Sequence, residues 1–284
     1  RNMIGDREIQ STHTTPDALQ INFLLRKMIE NDCKYCFMEV SSHAIVQSRI
    51  LGLHFSGGVF TNISREHLDY HKTFSNYINI KKSFFDSLSK SSFAIVNKDD
   101  KNGMKMIEST QANKITYSIK SLSDYRCKIL ENQFNGMLLS LNKIDLWVKL
   151  IGKFNAYNIL SVYAIANQFF LNHQELLSAL SMLDVVEGRF QRISANNITC
   201  IVDYAHTDDA LKNVLETIND IKCTTQGLVT VIGCGGDRDK EKRPRIGSVA
   251  FSLSTQVIFT ADNPRTEDVT MIIDDMLQNL SKAQ

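Results

Sequence analysis

The sequence contains no apolar run approaching the roughly 20 residues that a membrane-spanning helix needs. Its opening stretch, RNMIGDREIQ, lacks the apolar core of a signal peptide. Neither sign of charge is in excess. The formal net charge is +1, so no broad field attracts nucleic acid or an anionic membrane surface. A P-loop is missing as well: GxxxxGK[ST] occurs nowhere, and Gly152-Lys153-Phe154 is the nearest approach. The six cysteines, Cys33, Cys36, Cys127, Cys200, Cys223 and Cys234, are dispersed. Cys33 and Cys36 form a CxxC, but no second CxxC or HxxxH completes a zinc site, which remains the minor alternative to reduced thiols in a cytosolic protein. Cytoplasmic chemistry without membrane or nucleic-acid partners is the expectation.

What is present is an ordinary globular composition. The 284 residues are 43% hydrophobic and 22% charged, enough for one large or two medium domains. The stretch from Met38 to Lys81 holds four of the seven histidines: His43, His54, His67 and His71. Glu39 closes an apolar run, CFMEV, with the pattern of a buried strand. A second run, GGVFTN, ends at Thr61 and Asn62. Ligands collect at the carboxyl ends of parallel strands, so Glu39, Asn62 and His67 are expected to share one crevice. A carboxylate, an amide and an imidazole suit a divalent metal and its waters. The competing reading makes Glu39 a helix cap and the histidines solvated loop residues.

Taken in order, His13-Thr14-Thr15-Pro16-Asp17 opens a helix, with Thr as cap and Pro at the first helical position. Leu19, Phe23, Leu24 and Met28 recur at helical spacing and predict one buried face. Strands are predicted at 34–40, 58–62, 92–97 and 114–117. A short helix is predicted over 41–47, and a helix capped by Thr73 runs to about Leu88. Alternating strands and helices imply a mostly parallel sheet flanked by helices. From 125 to 150 the pattern becomes a hairpin about Asn135-Gly136 followed by a third strand, a small antiparallel appendage. Helices are predicted from Gly152 to Phe170 and from Gln174 to Leu183. Near Glu187-Gly188 a second α/β unit starts. It has strands at 190–193, 198–203, 228–232 and 256–260, and helices at 208–221 and 267–280.

In the second unit, GCGGDRDKEKRPRIG (233–247) follows a strand. Its glycines can turn backbone N–H groups toward an anion, and Arg238, Lys242 and Arg243 add positive charge. A surface turn of mixed charge explains it about equally well. It does not fit GxGxxG. Asp262-Asn263-Pro264-Arg265 ends the next strand with a carboxylate, an amide and a guanidinium, a set that suits a zwitterion; a turn with a helix cap is the plain alternative. Asp203 and His206 end another strand and can meet the ribose and the rest of a nucleotide, or Asp203 simply caps the next helix. Asn155 and Asn158, in the first turn of the long helix, can read an adenine edge, or they too are caps.

Together MEVSSHA, FTNISREHLDYH, YINIK, GKFNAYN, EGRFQ, DYAHTDDAL, GCGGDRDKEKRP and DNPR resemble, in order, the motifs of the Mur ligase family. Within it the resemblance is to the members that add meso-diaminopimelate, and it runs through nearly the whole chain. It implies an α/β fold: a central ATPase domain (1–187, without its P-loop) followed by a Rossmann-like C-terminal domain (188–284, truncated). An internal piece of a longer protein is expected, unable to form amide bonds by itself. Glu39 and His67 are implied as magnesium ligands, and Lys81 as a lysine carbamylated by carbon dioxide. Thr14, Thr15, Ser41, Gln47 and Arg49 are implied contacts to the UDP-N-acetylmuramoyl dipeptide. Asn155 and Asn158 are implied at adenine, Arg189 at phosphate and Asp203 at ribose. Arg238, Asp262, Asn263, Pro264 and Arg265 are implied at diaminopimelate.

Four residues depart from the family pattern: His13, Lys72, Asp208 and Glu241. All are at loop positions and leave the charged residues in place. The implied chemistry is ATP-dependent amide ligation through an acyl phosphate, by a monomer. The alternatives are a lysine-adding Mur ligase, a folylpolyglutamate synthetase-like ligase, or a non-catalytic nucleotide-binding remnant. DNPR argues against the first two.

Overall fold

The computed structural model describes residues 2–11, 13–64, 68–169 and 172–280, with the side chains of 68 and 69 outside the description. Two compact units divide the chain, Arg1–Tyr117 and Ser118–Gln284. Among the described residues no helix is long and apolar enough to cross a membrane.

The first unit opens with a small antiparallel hairpin, β1 (Asn2–Ile4) and β2 (Arg7–Ile9). Helix α1 (Ala18–Glu30) follows. Its cap is Asp17, whose Oδ1 accepts the Gln20 N–H at 2.9 Å, so the expected Thr cap is displaced by two residues. A carboxylate at that position satisfies an orphan N–H and carries the charge the helix start prefers. The buried face is also rotated: Ile21 and Leu24 point inward, while Leu19 and Phe23 are exposed. Leu19 and Phe23 are four residues apart and share a face, so both leave the core together.

The segment 34–40 forms no strand, and Phe37 in its middle is 73% exposed. Its apolar run suits a ladder, but no strand among the described residues pairs with it. Helix α2 (Ser42–Val46) is capped by Ser41 and not by Glu39. Then come β3 (Gly57–Phe60), α3 (Leu68–His71), α4 (Phe74–Asp86), β4 (Phe93–Asn97), α5 (Gly103–Met106) and β5 (Asn113–Ser118). Strands β3, β4 and β5 are parallel neighbours in that order. Thr73 caps α4, its Oγ1 accepting the Asn76 N–H at 3.1 Å. Tyr77, Ile78, Phe84 and Phe85 of α4 pack with Phe60, Ala94, Val96 and Met106 into one core.

The second unit begins with the meander β6 (Tyr125–Gln133), β7 (Gly136–Leu141) and β8 (Ile144–Val148). Gln133 pairs with Gly136, so the predicted hairpin turns on Phe134-Asn135. Helix α6 (Lys153–Ala166) starts at Gly152, whose φ of 90° is left-handed and suits glycine alone. Helix α7 (His173–Met182) follows, then the antiparallel pair β9 (Gln191–Ala195) and β10 (Ile198–Val202). Asn196 and Asn197, both at positive φ, make its two-residue turn. The remainder is α8 (Asp208–Ile221), β11 (Val229–Ile232), α9 (Lys242–Leu253), β12 (Gln256–Phe259) and α10 (Val269–Leu277). Strands β11 and β12 are parallel, joined through α9. The sequence does not announce α9: its first turn, KRPR, reads as part of a charged loop. Leu211, Leu215, Ile246, Ala250, Ile272 and Met276 gather the three helices into one core.

Candidate functional site

Thr15 is 1% exposed and joins three of the predicted substrate residues. Its Oγ1 donates to the Glu39 carbonyl at 2.8 Å and accepts the Ser41 N–H at 3.0 Å. Arg49 donates from Nη1 to the Thr15 carbonyl at 2.7 Å, while its Nε and Nη2 bond Gln47 Oε1 at 2.9 and 2.6 Å. Thr15, Ser41, Gln47 and Arg49 thus form one connected network about a buried threonine, with Thr14 exposed beside it. Thr14 and Glu39 line a cavity of about 610 Å³ together with His13, Pro16, Leu24 and Met38.

The Glu39 side chain is exposed, a hard oxygen donor open to a cation. The other expected metal ligand, His67, lies outside the described residues. Among the described residues no three His, Cys, Asp or Glu side chains gather as a metal site. Asn62 is exposed just beyond β3, between two pinned neighbours. The Thr61 carbonyl accepts Asn97 Nδ2 at 2.9 Å, and the Ile63 N–H donates to Asp100 Oδ2 at 3.1 Å. Lys81 is half-buried, with Nζ 5.3 Å from the centre of the Tyr77 ring one turn earlier on α4. Tyr77 stacks on buried His71 at 5.0 Å, and His71 Nε2 lies 2.8 Å from Ser42 Oγ. Lys81 is therefore tied through aromatic contacts to the start of α2.

In the second unit, Asn155 Nδ2 donates to the Ile151 carbonyl at 2.9 Å, and Asn158 Nδ2 to Asn155 Oδ1 at 3.2 Å. The pair forms an amide ladder on the first turns of α6. Asp203 does not cap α8. That role falls to Thr207, whose Oγ1 accepts the Ala210 N–H at 3.2 Å. Instead Asp203 holds the Phe190 N–H at 2.7 Å and the Ala205 N–H at 2.8 Å. The Arg189 guanidinium lies 4.7 Å from the centre of the Tyr204 ring, and His206 packs on the same ring at 5.1 Å. Arg189, Asp203 and His206 are thereby drawn to one patch.

The turn after β11 and the turn after β12 interlock. Gly236 N donates to the Asn263 carbonyl at 2.9 Å, and Arg265 Nη1 donates to the Gly236 carbonyl at 2.6 Å. A Cβ at Gly236 would sit 1.8 Å from the Pro264 carbonyl oxygen, so only glycine permits this approach. Asp262, Asn263 and Arg265 are exposed at this junction, and Arg238 is exposed two residues after Gly236. Arg243 does not face an anion site as expected from its loop. It is fully buried on α9, bonded to Glu267 and Asp275. A buried guanidinium needs such partners, and the pairing raises its pKa further. Glu267 is held down at about 2, first by Arg243 and then by the Asp237 N–H. Neither Arg243 nor Glu267 is marked by a spacing that would single it out in the sequence.

Residues 2–166 match the family model of the Mur ligase middle domain, and residues 188–284 that of the Mur ligase, glutamate ligase domain. The UDP-N-acetylmuramoyl-L-alanyl-D-glutamate–2,6-diaminopimelate ligase of Cytophaga hutchinsonii is 51% identical over 276 residues, 97% of this chain and 57% of its own. The protein of that name from Phocaeicola vulgatus is 50% identical over 282 residues, 99% of this chain and 58% of its own. A solved structure of a ligase with the same name has a TM-score of 0.67 at 35% identity, covering 95% of this chain and 57% of its own. A folylpolyglutamate synthase from Thermotoga maritima, 14% identical with a TM-score of 0.60 over 78% of this chain and 51% of its own, shares the fold alone. The chain spans 57 to 58% of the length of these two curated relatives. With both family models matched in chain order and half the residues identical to those relatives, this chain belongs to the Mur ligase family.

Proposed function

We propose that the chain supplies the central (1–187) and C-terminal (188–284) domains of a cytoplasmic, monomeric ligase. It joins meso-diaminopimelate to UDP-N-acetylmuramoyl-L-alanyl-D-glutamate, consuming ATP, in peptidoglycan precursor synthesis. The observation that carries this reading is the interlocked pair of turns: Arg265 is fixed on Gly236, with Arg238 exposed on the same turn. Diaminopimelate differs from lysine by one distal carboxylate, and two guanidinium groups at neighbouring strand ends suit that carboxylate.

The remaining roles follow from chemistry. Thr14, Thr15, Ser41, Gln47 and Arg49 bind the muramoyl dipeptide around the Thr15 network. Asn155 and Asn158 read adenine, and Arg189 meets phosphate. Asp203, with lone pairs left after two backbone N–H bonds, meets ribose hydroxyls, and His206 lies beside it. Asn62 takes part in cofactor binding. Glu39 and His67 hold magnesium, which neutralises phosphate charge when bound. Lys81 carries a carbamate, converting a cation into an anion. The glutamate side-chain carboxylate of the dipeptide attacks the ATP γ-phosphate, giving an acyl phosphate and ADP. The diaminopimelate amine then attacks the acyl carbon and phosphate leaves. Such transfers depend on in-line positioning and charge neutralisation.

The test is a ligation assay with the full-length protein, dipeptide substrate, ATP and meso-diaminopimelate, followed by product mass and phosphate release. Tripeptide product is expected. Arg265→Ala should raise the diaminopimelate KM steeply and leave the dipeptide KM almost unchanged. Equal effects on both constants, or no product from the wild type, would contradict the proposal.

A further inference from the structure

Arg243 heads the fully buried side chains by size, at 0% exposure among the described residues. Its Nη1 donates to Glu267 Oε2 and to Asp275 Oδ2, both at 2.9 Å. Its Nη2 donates to Glu267 Oε1 at 2.8 Å and to the Gly235 carbonyl at 3.4 Å. The two carboxylates do different things. Asp275 sits on α10 and, among the described side-chain contacts, otherwise bonds only Gln278, just past the end of that helix. Glu267 reaches both turns that carry the exposed arginines. Its Oε1 accepts the Asp237 N–H at 2.6 Å, next to Arg238. Its own N–H donates to the Pro264 carbonyl at 3.0 Å, next to Arg265. Lys240, from the same run, lies 3.1 Å from Oε2. Asp237 is tied to the second turn again, accepting from Thr266 Oγ1 at 2.7 Å and Thr266 N at 3.2 Å.

We infer that Arg243 and Glu267 are positioning residues for the amino-acid subsite: without touching substrate, they fix the separation of the turns bearing Arg238 and Arg265. This rests on the reading of those turns as the diaminopimelate site. Bidentate guanidinium–carboxylate pairing is directional, so a small shift between the two turns weakens recognition of the distal carboxylate. Arg243 is suited to the task because its rigid planar fork engages Glu267 bidentately while also reaching Asp275 and the Gly235 carbonyl, a fixed geometry that a lysine ammonium lacks.

The experiment compares Glu267→Gln with Asp275→Asn in the full-length protein. Melting temperature is measured along with KM for diaminopimelate, dipeptide and ATP. Wild-type turnover with diaminopimelate is established first; its failure would sink the underlying reading and not this one. Glu267→Gln is expected to raise the diaminopimelate KM at least tenfold, with the other two KM values within twofold. Asp275→Asn is expected to lower the melting temperature while leaving the diaminopimelate KM within twofold. An unchanged diaminopimelate KM in Glu267→Gln, or an equal rise in both variants, would overturn the inference, as would a common rise of all three constants. Should Glu267→Gln not fold, Thr266→Val, on the exposed side of the same tie, is expected to raise the diaminopimelate KM severalfold. No change there overturns the inference as well.

Discussion

Arg265 reaches back 29 residues to place its Nη1 2.6 Å from the Gly236 carbonyl, joining the turns that end β11 and β12. Side chain and backbone lock each other. The guanidinium is oriented by the turn, and the turn is held against DNPR by the guanidinium. Side-chain orientation at one strand end is therefore inseparable from backbone geometry at the other.

The tightness of this junction gives the first prediction. At Gly236 an added methyl would fall 1.8 Å from the Pro264 oxygen and 2.6 Å from its carbon. Backbone cannot yield as a flexible side chain does. Gly236→Ala should destabilise the protein by about 1–3 kcal/mol, as overpacking does. It should also raise the diaminopimelate KM more than the dipeptide KM. Thermal unfolding and steady-state kinetics read both, and wild-type values in each would mean the turns are not locked.

Lys81 gives the second. Its Nζ is held over the Tyr77 ring, one helical turn from the His71 stack. If it acts as a carbamate, Lys81→Ala should lower kcat by roughly 10²–10³, the usual scale for losing one electrostatic stabiliser. Added formate or acetate should restore part of the rate. A variant with normal rate and no response to carboxylate would reduce Lys81 to an ordinary helix residue.

The third concerns pH. Glu267 titrates at about 2 in the fold against an ordinary 4.5, held down by Arg243 and the Asp237 N–H. A depressed carboxylate contributes stability that is complete above the unfolded value and fades as pH falls toward the folded one. The advantage of wild type over Glu267→Gln should therefore be full above pH 4.5 and shrink between 4.5 and 2. Denaturant midpoints for both proteins across that range are the measurement. A constant gap at all pH values would assign the difference to packing instead of charge.

Local chemistry was legible where one residue decides the outcome. Thr73 caps the helix its position announces, and Asn135-Gly136 marks the hairpin. What escaped depends on distant partners. Arg243 reads as a solvated cation within DRDKEKRPR, because only the fold brings Glu267 and Asp275, 24 and 32 residues on, to neutralise it. Helix α9 was hidden for the same reason: its first turn is charged. Its Gly247 looks like a break, yet a Cβ there would meet the Met276 oxygen at 1.9 Å, so glycine serves close packing on α10. The run 34–40 has a strand's apolar content without a partner to pair with, and composition cannot supply the ladder. Of the candidate site, Thr15, Ser41, Gln47 and Arg49 are each implied by the resemblance alone, and the hydrogen bonds joining them are not.

The most direct test of the central claim is the ratio of kcat/KM for meso-diaminopimelate and lysine, measured side by side with the full-length protein. Lysine would leave the guanidinium groups of Arg238 and Arg265 without the distal carboxylate. Losing a charge-assisted hydrogen-bonded partner at these exposed groups costs about 1.5–3 kcal/mol, roughly ten- to a hundredfold in preference. A preference of that size for diaminopimelate is the predicted result, and equal kcat/KM for the two amino acids would contradict it.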